Sequence, residues 1–150
     1  MRSSSNIITL ADDESDLRPL VPPGEYMLKL IGHQTKVFYK TPRLIFDLCI
    51  TDFGDFHGVK LQRFYNVSRL IGKPGKNGRC KHKQTGDFMM EFYKLFPKEP
   101  KRRLDRIPLE MFYNVEIIGR VRTVTTNNRQ QELPAQLQHS VVGELLRVSE

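Results

Sequence analysis

A glycine-rich cationic segment, residues 71–83, contains the side chains best suited to binding a ligand. It reads I-G-K-P-G-K-N-G-R-C-K-H-K and has five lysine or arginine residues and no acidic one. Such a cluster attracts polyanions, and Phe64 and Tyr65, just before it, could supply rings on which bases stack. Solvated surface loops have a similar composition, so the segment alone leaves both interpretations open.

The positive charge of the chain is concentrated in its middle. The formal net charge is +7 and the sequence pI is about 9.6. Residues 60–106 hold fourteen lysine or arginine residues against four acidic ones, so the rest of the chain is net acidic. Asp12, Asp13, Glu14 and Asp16 supply part of that acidity. We expect a disordered acidic tail over residues 1–20 and one domain over residues 21–150.

The cysteine content and the hydropathy of the sequence bear on where in the cell the protein is found. Cys49 and Cys80 are the only cysteines in the sequence, which does not suggest a disulfide framework. The sequence shows no secretory signal and no run of about 18 apolar residues that could span a bilayer. We therefore expect a cytoplasmic protein with no membrane partner.

Alternating apolar residues predict three early strands, at residues 25–31, 43–52 and 59–67. Residues 35–42, T-K-V-F-Y-K-T-P, are interpreted as a connection. In the third strand the alternation falters at Arg63, which predicts a bulge near Gln62 and leaves open which of Phe64 and Tyr65 is exposed.

The second half of the chain shows one clear helical pattern. Apolar residues at helical spacing predict a helix over residues 88–96, with Thr85 or Asp87 as its N-cap and Pro97 as its end. A helical turn is expected near residues 107–112. Strands at 113–126 and 137–148, joined through T-T-N-N-R, complete the pattern.

This element order predicts a mainly β fold. Three strands, one helix and two strands are the order of the five-stranded Greek-key barrel that binds oligonucleotides or oligosaccharides, with the helix between strands three and four. A different small sheet with one helix remains open.

In element order, charge and aromatic placement, residues 22–148 resemble the small basic single-stranded-DNA-binding proteins of phages and mobile elements, which have this fold. The resemblance implies binding of single-stranded DNA with little sequence preference, in DNA replication or recombination. It also implies contact with replication or recombination proteins and a possible homo-oligomer. One departure is that the acidic stretch is N-terminal, whereas many bacterial members end in an acidic tail and this chain ends L-L-R-V-S-E.

This fold binds ligands on strands two and three and on the loops between strands one and two and between strands four and five. The residues predicted to bind nucleic acid come from four segments. They are Lys36, Phe38, Tyr39, Lys40 and Arg43 in the first loop; Lys60, Arg63, Phe64 and Tyr65 in strand three; Lys73, Lys76, Arg79 and Lys81 in the cationic segment; and Arg120, Arg122 and Arg129 in the last hairpin. The alternatives are that the rings anchor a loop and that the arginines keep a sheet soluble.

The sequence patterns for catalysis and for metal or nucleotide binding are weaker. The cationic segment lacks the Gly-Lys-Ser/Thr ending of a nucleotide-binding loop, and Cys80 with His82 lacks further zinc ligands. Asp52 and Asp55 flank a turn, where aspartate is common. We therefore expect no catalysis, no cofactor and no metal. A protein-interaction adaptor with a basic docking surface and an RNA-binding protein remain the alternatives.

Overall fold

The computed structural model describes residues 18–149, which are mainly β, with 46% strand and 12% helix. Two helices, α1 (Asp87–Leu95) and α2 (Glu110–Tyr113), and a 3-10 turn at Ala135–Leu137 accompany the strands. The strands are β1 (Gly24–Phe38), β2 (Thr41–Ile50), β3 (Lys60–Asn66), β4 (Arg69–Ile71), β5 (Gly75–Lys76), β6 (Arg79–Lys81), β7 (Glu116–Val124) and β8 (His139–Val148).

The main sheet is antiparallel and runs in the order β3-β2-β1-β7-β8, with β5 also pairing with β1. β4 and β6 form a separate two-stranded ribbon. The predicted strand count was wrong because residues 69–81 fold into three short strands, and the main helix consequently follows the sixth strand rather than the third. Within residues 18–149 no ladder joins β3 to β8, so the predicted barrel closure is not found.

Helix α1 covers one side of the sheet with its apolar face. Phe88, Met89, Phe92 and Leu95 are buried there, as the helical spacing predicted. The predicted N-cap was wrong: Gly86 takes that position with no side-chain hydrogen bond, and Met90 N–H donates to the Gly86 carbonyl. Asp87 instead lies in the first turn, where a carboxylate favours the helix dipole.

Strand β1 is longer than predicted, and the interpretation of residues 35–42 as a connection was wrong. The strand continues to Phe38, and only Tyr39 and Lys40 form the turn before β2. The register with β2 shifts between Leu30 and Gly32, which marks a bulge. A bulge moves all later side chains to the opposite side of the sheet. The period-two pattern is therefore interrupted at this position, although the strand itself continues.

Strand β3 keeps its alternation, and the predicted bulge near Gln62 was wrong. Its register with β2 is unbroken from Lys60 to Asn66. Arg63 and Tyr65 both face the interior, and Phe64 faces the opposite side of the sheet. The buried arginine is possible because Glu91 of α1 forms an ion pair with it.

The predicted tail falls largely on residues 1–17, which lie outside the described residues. At the start of the described chain, Ser140 N–H donates to the Pro19 carbonyl at 2.8 Å, and Val21 N–H donates to Ser140 Oγ at 2.8 Å. These bonds attach the entering backbone to β8. Neither helix in residues 18–149 has the length and apolar composition to cross a membrane.

Candidate nucleic-acid interface

The outer face of β1, β2 and β3 brings together two aromatic rings and two cations. Directly paired residues of antiparallel strands share a face of the sheet. Lys36 is paired with Arg43, and Phe64 belongs to the next row on that side, with Phe38 at the end of β1. We call Lys36, Phe38, Arg43 and Phe64 the aromatic-cation face.

Within the aromatic-cation face the rings and the charges are in contact. The Phe38 and Phe64 ring centroids are 6.3 Å apart, with planes at 79°. Lys36 Nζ lies 5.2 Å and Arg43 Cζ 5.0 Å from the Phe38 centroid, which is within the range of a cation–π interaction. Arg43 Nε also donates to Asn66 Oδ1 at 3.1 Å. The face thus holds aromatic rings and positive charges within one side-chain length of each other.

The turn beyond Phe38 presents an exposed ring. Tyr39 and Lys40 have φ values of 48° and 68°, and the Tyr39 side chain is 89% exposed. Two-residue hairpin turns that need positive φ at both positions favour Asn-Gly, and other L-residues lose about 1–2 kcal/mol each there. Strained backbone of this kind is concentrated at functional sites. Tyr39 and Lys40 form the hairpin tip next to Phe38, at the edge of the aromatic-cation face.

The cationic segment is attached to β1 through its glycines. Gly75 and Lys76 pair with Thr35 and Gln34, and Asn77 N–H donates to the His33 carbonyl at 3.0 Å. A Cβ on Gly78 would lie 1.9 Å from Thr35 Oγ1, so only glycine permits this close approach. Because Lys76 is paired with Gln34, its side chain lies on the outer side of the sheet, beside the aromatic-cation face.

The ribbon of β4 and β6 carries further cations next to this attachment. Arg69 is paired with Lys81, and Ile71 with Arg79, so these four share one side of the ribbon. Arg79 and Lys73 are exposed, and Lys81 is half-buried. Arg69 was not among the predicted site residues, although its place in the basic middle of the sequence was a usable signal.

Arg63 and Tyr65, predicted as binding residues, lie in the core instead. Arg63 forms an ion pair with Glu91, and Tyr65 O–H donates to Glu91 Oε1 at 2.7 Å. Leu145 N–H of β8 donates to the same oxygen at 3.0 Å. Burial and the Glu91 charge raise the pKa of Tyr65 well above its ordinary value. The Tyr65 ring is 1% exposed and unavailable for stacking, so neither residue enters the proposal below.

The arginines of the last hairpin lie far from the aromatic-cation face. Arg120 is opposite Glu25, eleven residues before Lys36 along β1, which corresponds to a separation of up to about 36 Å. Arg120 Nη1 donates to Glu144 at 2.9 Å, and Arg122 packs over Gly143. Arg129 lies in the exposed turn between β7 and β8. Of the predicted residues, the structure brings together those of the first loop, Phe64 of strand three and Lys76, but not these three arginines.

A carboxylate limits the aromatic-cation face at its other end. Asp47 accepts hydrogen bonds from Gln62 Nε2 at 3.0 Å and from Gln34 Nε2 at 3.3 Å. Lys60, predicted as a binding residue, lies beyond Gln62 at the far end of β3. A phosphate chain passing over the aromatic-cation face would be repelled by Asp47, which the sequence interpretation did not include.

Cys80 and His82 form a buried pair rather than a metal site. The Cys80 Sγ to His82 Nε2 distance is 3.8 Å, and the His82 ring stacks on Phe88 with centroids 3.9 Å apart. Burial raises the pKa of Cys80 to about 12 and lowers that of His82 to about 4, so both are neutral at pH 7. In residues 18–149 no group of three His, Cys, Asp or Glu side chains is placed to hold a metal ion.

Comparison with known proteins finds no matching family model, no matching curated protein and no matching solved structure.

Proposed function

We propose that this protein binds single-stranded DNA, with little sequence preference, across the aromatic-cation face. The observation that carries the proposal is that the Phe38 ring contacts Phe64, Lys36 and Arg43 on the outer side of the sheet, where both rings are half-buried. Stacking one base on an aromatic ring contributes about 1–3 kcal/mol and does not depend on which base it is. Lysine and arginine beside the ring can reach the phosphates that flank a stacked base.

The strand order supports a partly open oligonucleotide-binding barrel as the fold. β7 returns by a long connection to lie beside β1, so that β7-β1-β2-β3 is the spatial order of a Greek key. β3 and β8 lie against each other, and Glu91 of α1 bonds to both of them. In such a barrel the outer face of strands two and three is the usual ligand surface.

The proposed role is to protect or present single strands during replication or recombination of a phage or mobile element, which the resemblance in sequence suggests. No catalytic step is part of the proposal. RNA binding is the alternative that the first experiment separates, since stacking surfaces and cations accept either backbone.

The first experiment titrates fluorescent single-stranded DNA, duplex DNA and RNA of equal length by anisotropy at two salt concentrations. We expect tight binding to single-stranded DNA that weakens with salt, with a slope of about −0.7 in log–log form for each phosphate contacted. Equal affinity for duplex DNA would contradict base stacking. No binding at low salt would refute the proposal, and tighter binding to RNA would replace DNA as the ligand.

The second experiment tests the surface with matched variants. Phe38→Leu and Phe64→Leu keep apolar packing but remove the rings, and each should lower the affinity about 5- to 150-fold, the equivalent of about 1–3 kcal/mol. Arg43→Gln removes about one phosphate contact and should therefore make the log–log salt slope shallower by about 0.7. Arg120→Gln removes the same charge at the other end of β1 and should leave both affinity and slope near wild type. Equal effects of the two arginine variants would show that net charge, not this face, binds the strand.

A further inference from the structure

A second exposed ring lies away from the aromatic-cation face, on the loop of residues 51–59 between β2 and β3. Phe53 is 98% exposed, and its ring is parallel to that of His57 within 8°, with centroids 6.0 Å apart. Asp55 beside it is also exposed. The surrounding charges are not those of a nucleic-acid site, because Asp52 and Asp55 flank the ring.

Hydrogen bonds hold this loop in one shape. Met27 N–H donates to Asp52 Oδ2 at 2.8 Å, and His57 Nδ1–H donates to the Asp52 carbonyl at 3.0 Å. Gly58 N–H donates to the Ile50 carbonyl at 2.8 Å. A loop fixed in this way presents Phe53 as a preorganised projection, and preorganisation lowers the entropy lost on binding.

A groove on another part of the surface has the complementary character. It has a volume of about 520 Å³, within the range of pockets that admit small ligands, and it lies between α1 and the chain that follows it. Met89, Tyr93 and Leu104 line it with apolar surface, and its cationic rim consists of Lys101, Arg102 and Arg103.

Two of the rim cations already have carboxylate partners. Arg102 is paired with Glu99 at 2.6 Å and Arg103 with Asp105 at 2.9 Å. Lys101 is exposed and is in none of the ion pairs of the described residues. The rim therefore keeps an excess of positive charge that an incoming carboxylate can meet.

We propose that Phe53 of one copy inserts into this groove of a second copy, with Asp55 facing Lys101. The apolar projection carries an acidic flank, and the apolar groove carries a basic rim, so apolar surface and charge are both matched at this contact. The partner is a second copy of this chain because each copy supplies both halves of the contact.

A single copy cannot close the contact on itself. Phe53 lies before the start of β3. Gln84, at the groove, lies just before α1, and the N-cap of α1, Gly86, approaches Asn66 at the end of β3. The seven residues of β3 therefore separate the two, by roughly 23 Å. A contact between two different surfaces repeats head to tail, and it gives open rows when successive rotations do not close a ring. On a single strand, such a row would produce cooperative binding; that consequence alone rests on the proposed function.

Sedimentation without DNA tests the contact directly. The wild-type protein should show a weight-average mass that rises with concentration. Phe53→Asp removes the projection, and the double variant Lys101→Glu with Arg103→Glu reverses the rim; each alone should remain a monomer. An equimolar mixture of the two retains one intact projection and one intact groove, so it should form a 1:1 dimer and nothing larger. All three side chains are exposed, and urea unfolding of each variant checks that the fold is unchanged.

Binding to DNA supplies a second measurement that separates this inference from the proposed function. On a strand long enough for several copies, Phe53→Asp should lose cooperativity, while its affinity for an oligonucleotide of one site stays at the wild-type value. The inference is overturned if Phe53→Asp associates as the wild type does, or if the mixture contains only monomers. A wild-type protein that stays monomeric at every concentration and binds long strands without cooperativity would also overturn it. If the protein associates with itself but does not bind DNA, only the proposed function is refuted.

Discussion

The buried carboxylate of Glu91 should be the most sensitive single position for the stability of this protein. Glu91 is 4% exposed and Arg63 8%, and the carboxylate also accepts the hydrogen bonds of Tyr65 O–H and Leu145 N–H. It therefore connects β3 and β8, where no backbone ladder does so. Removing it would leave a buried guanidinium without a counter-charge and two donors without an acceptor.

The expected cost follows from these contacts. Removing one partner of a buried ion pair costs about 3–5 kcal/mol, and each buried donor left unpaired adds about 1–3 kcal/mol. Glu91→Gln keeps an acceptor for Tyr65 and Leu145, so we expect a loss of about 3 kcal/mol. Glu91→Ala loses every bond and should cost about 5 kcal/mol or more. Because domains are stable by about 5–15 kcal/mol, the alanine variant should be close to unfolding.

A double-mutant cycle in urea measures the pair itself. Arg63→Met and Glu91→Gln should each be strongly destabilising, whereas the double variant contains no buried charge and should cost less than the sum by about 3 kcal/mol. The free energies of unfolding come from linear extrapolation, with unchanged m-values as the control for an intact native state. A loss below about 1 kcal/mol for Glu91→Gln, or additive losses in the cycle, would refute the buried network.

Three further predictions concern the hairpin tip, pH and the cationic segment. Replacing Tyr39-Lys40 by Asn-Gly relieves positive-φ strain and should stabilise the fold by about 1–2 kcal/mol in urea unfolding. The same change removes the exposed Tyr39 ring and should weaken the affinity for single-stranded DNA, measured by anisotropy. Tighter binding would contradict a role for the ring. The depressed pKa of His82, about 4 against an ordinary 6.5, gives stability that is complete above about pH 6.5 and is lost by about 3 kcal/mol as pH falls to 4. His82→Phe should flatten that slope in urea unfolding across pH, and an unchanged slope would place the titration elsewhere. Gly78→Ala forces a Cβ against Thr35 and should cost about 1–3 kcal/mol in urea unfolding, and a neutral result would mean that the segment is not packed on β1.

The elements that the sequence predicted well are those whose pattern is local. β2 and α1 begin and end within two residues of their predicted limits, because period-two and helical spacings are visible without knowledge of the partner. β1 was cut short at Gly32 because a bulge reverses the facing there, and only its pairing with β2 shows that the strand continues. Arg63 suggested a bulge because its counter-charge, Glu91, lies 28 residues further along the chain.

For the candidate site, the residue types could be read from the sequence, but not which of them lie on the same side of the sheet. Phe38 was assigned to a loop and Phe64 was left undecided, and their contact depends on the register of three strands, in which Gln34, Ile45 and Phe64 form one row. A one-residue change in that register would turn Phe64 inward and Tyr65 outward. The core network opposes such a change, since Glu91 fixes Arg63 and Tyr65 on the inner side, and so Phe64 on the outer side. The buried ion pair thus helps to determine which rings the sheet can offer to a ligand, although neither of its members can touch one.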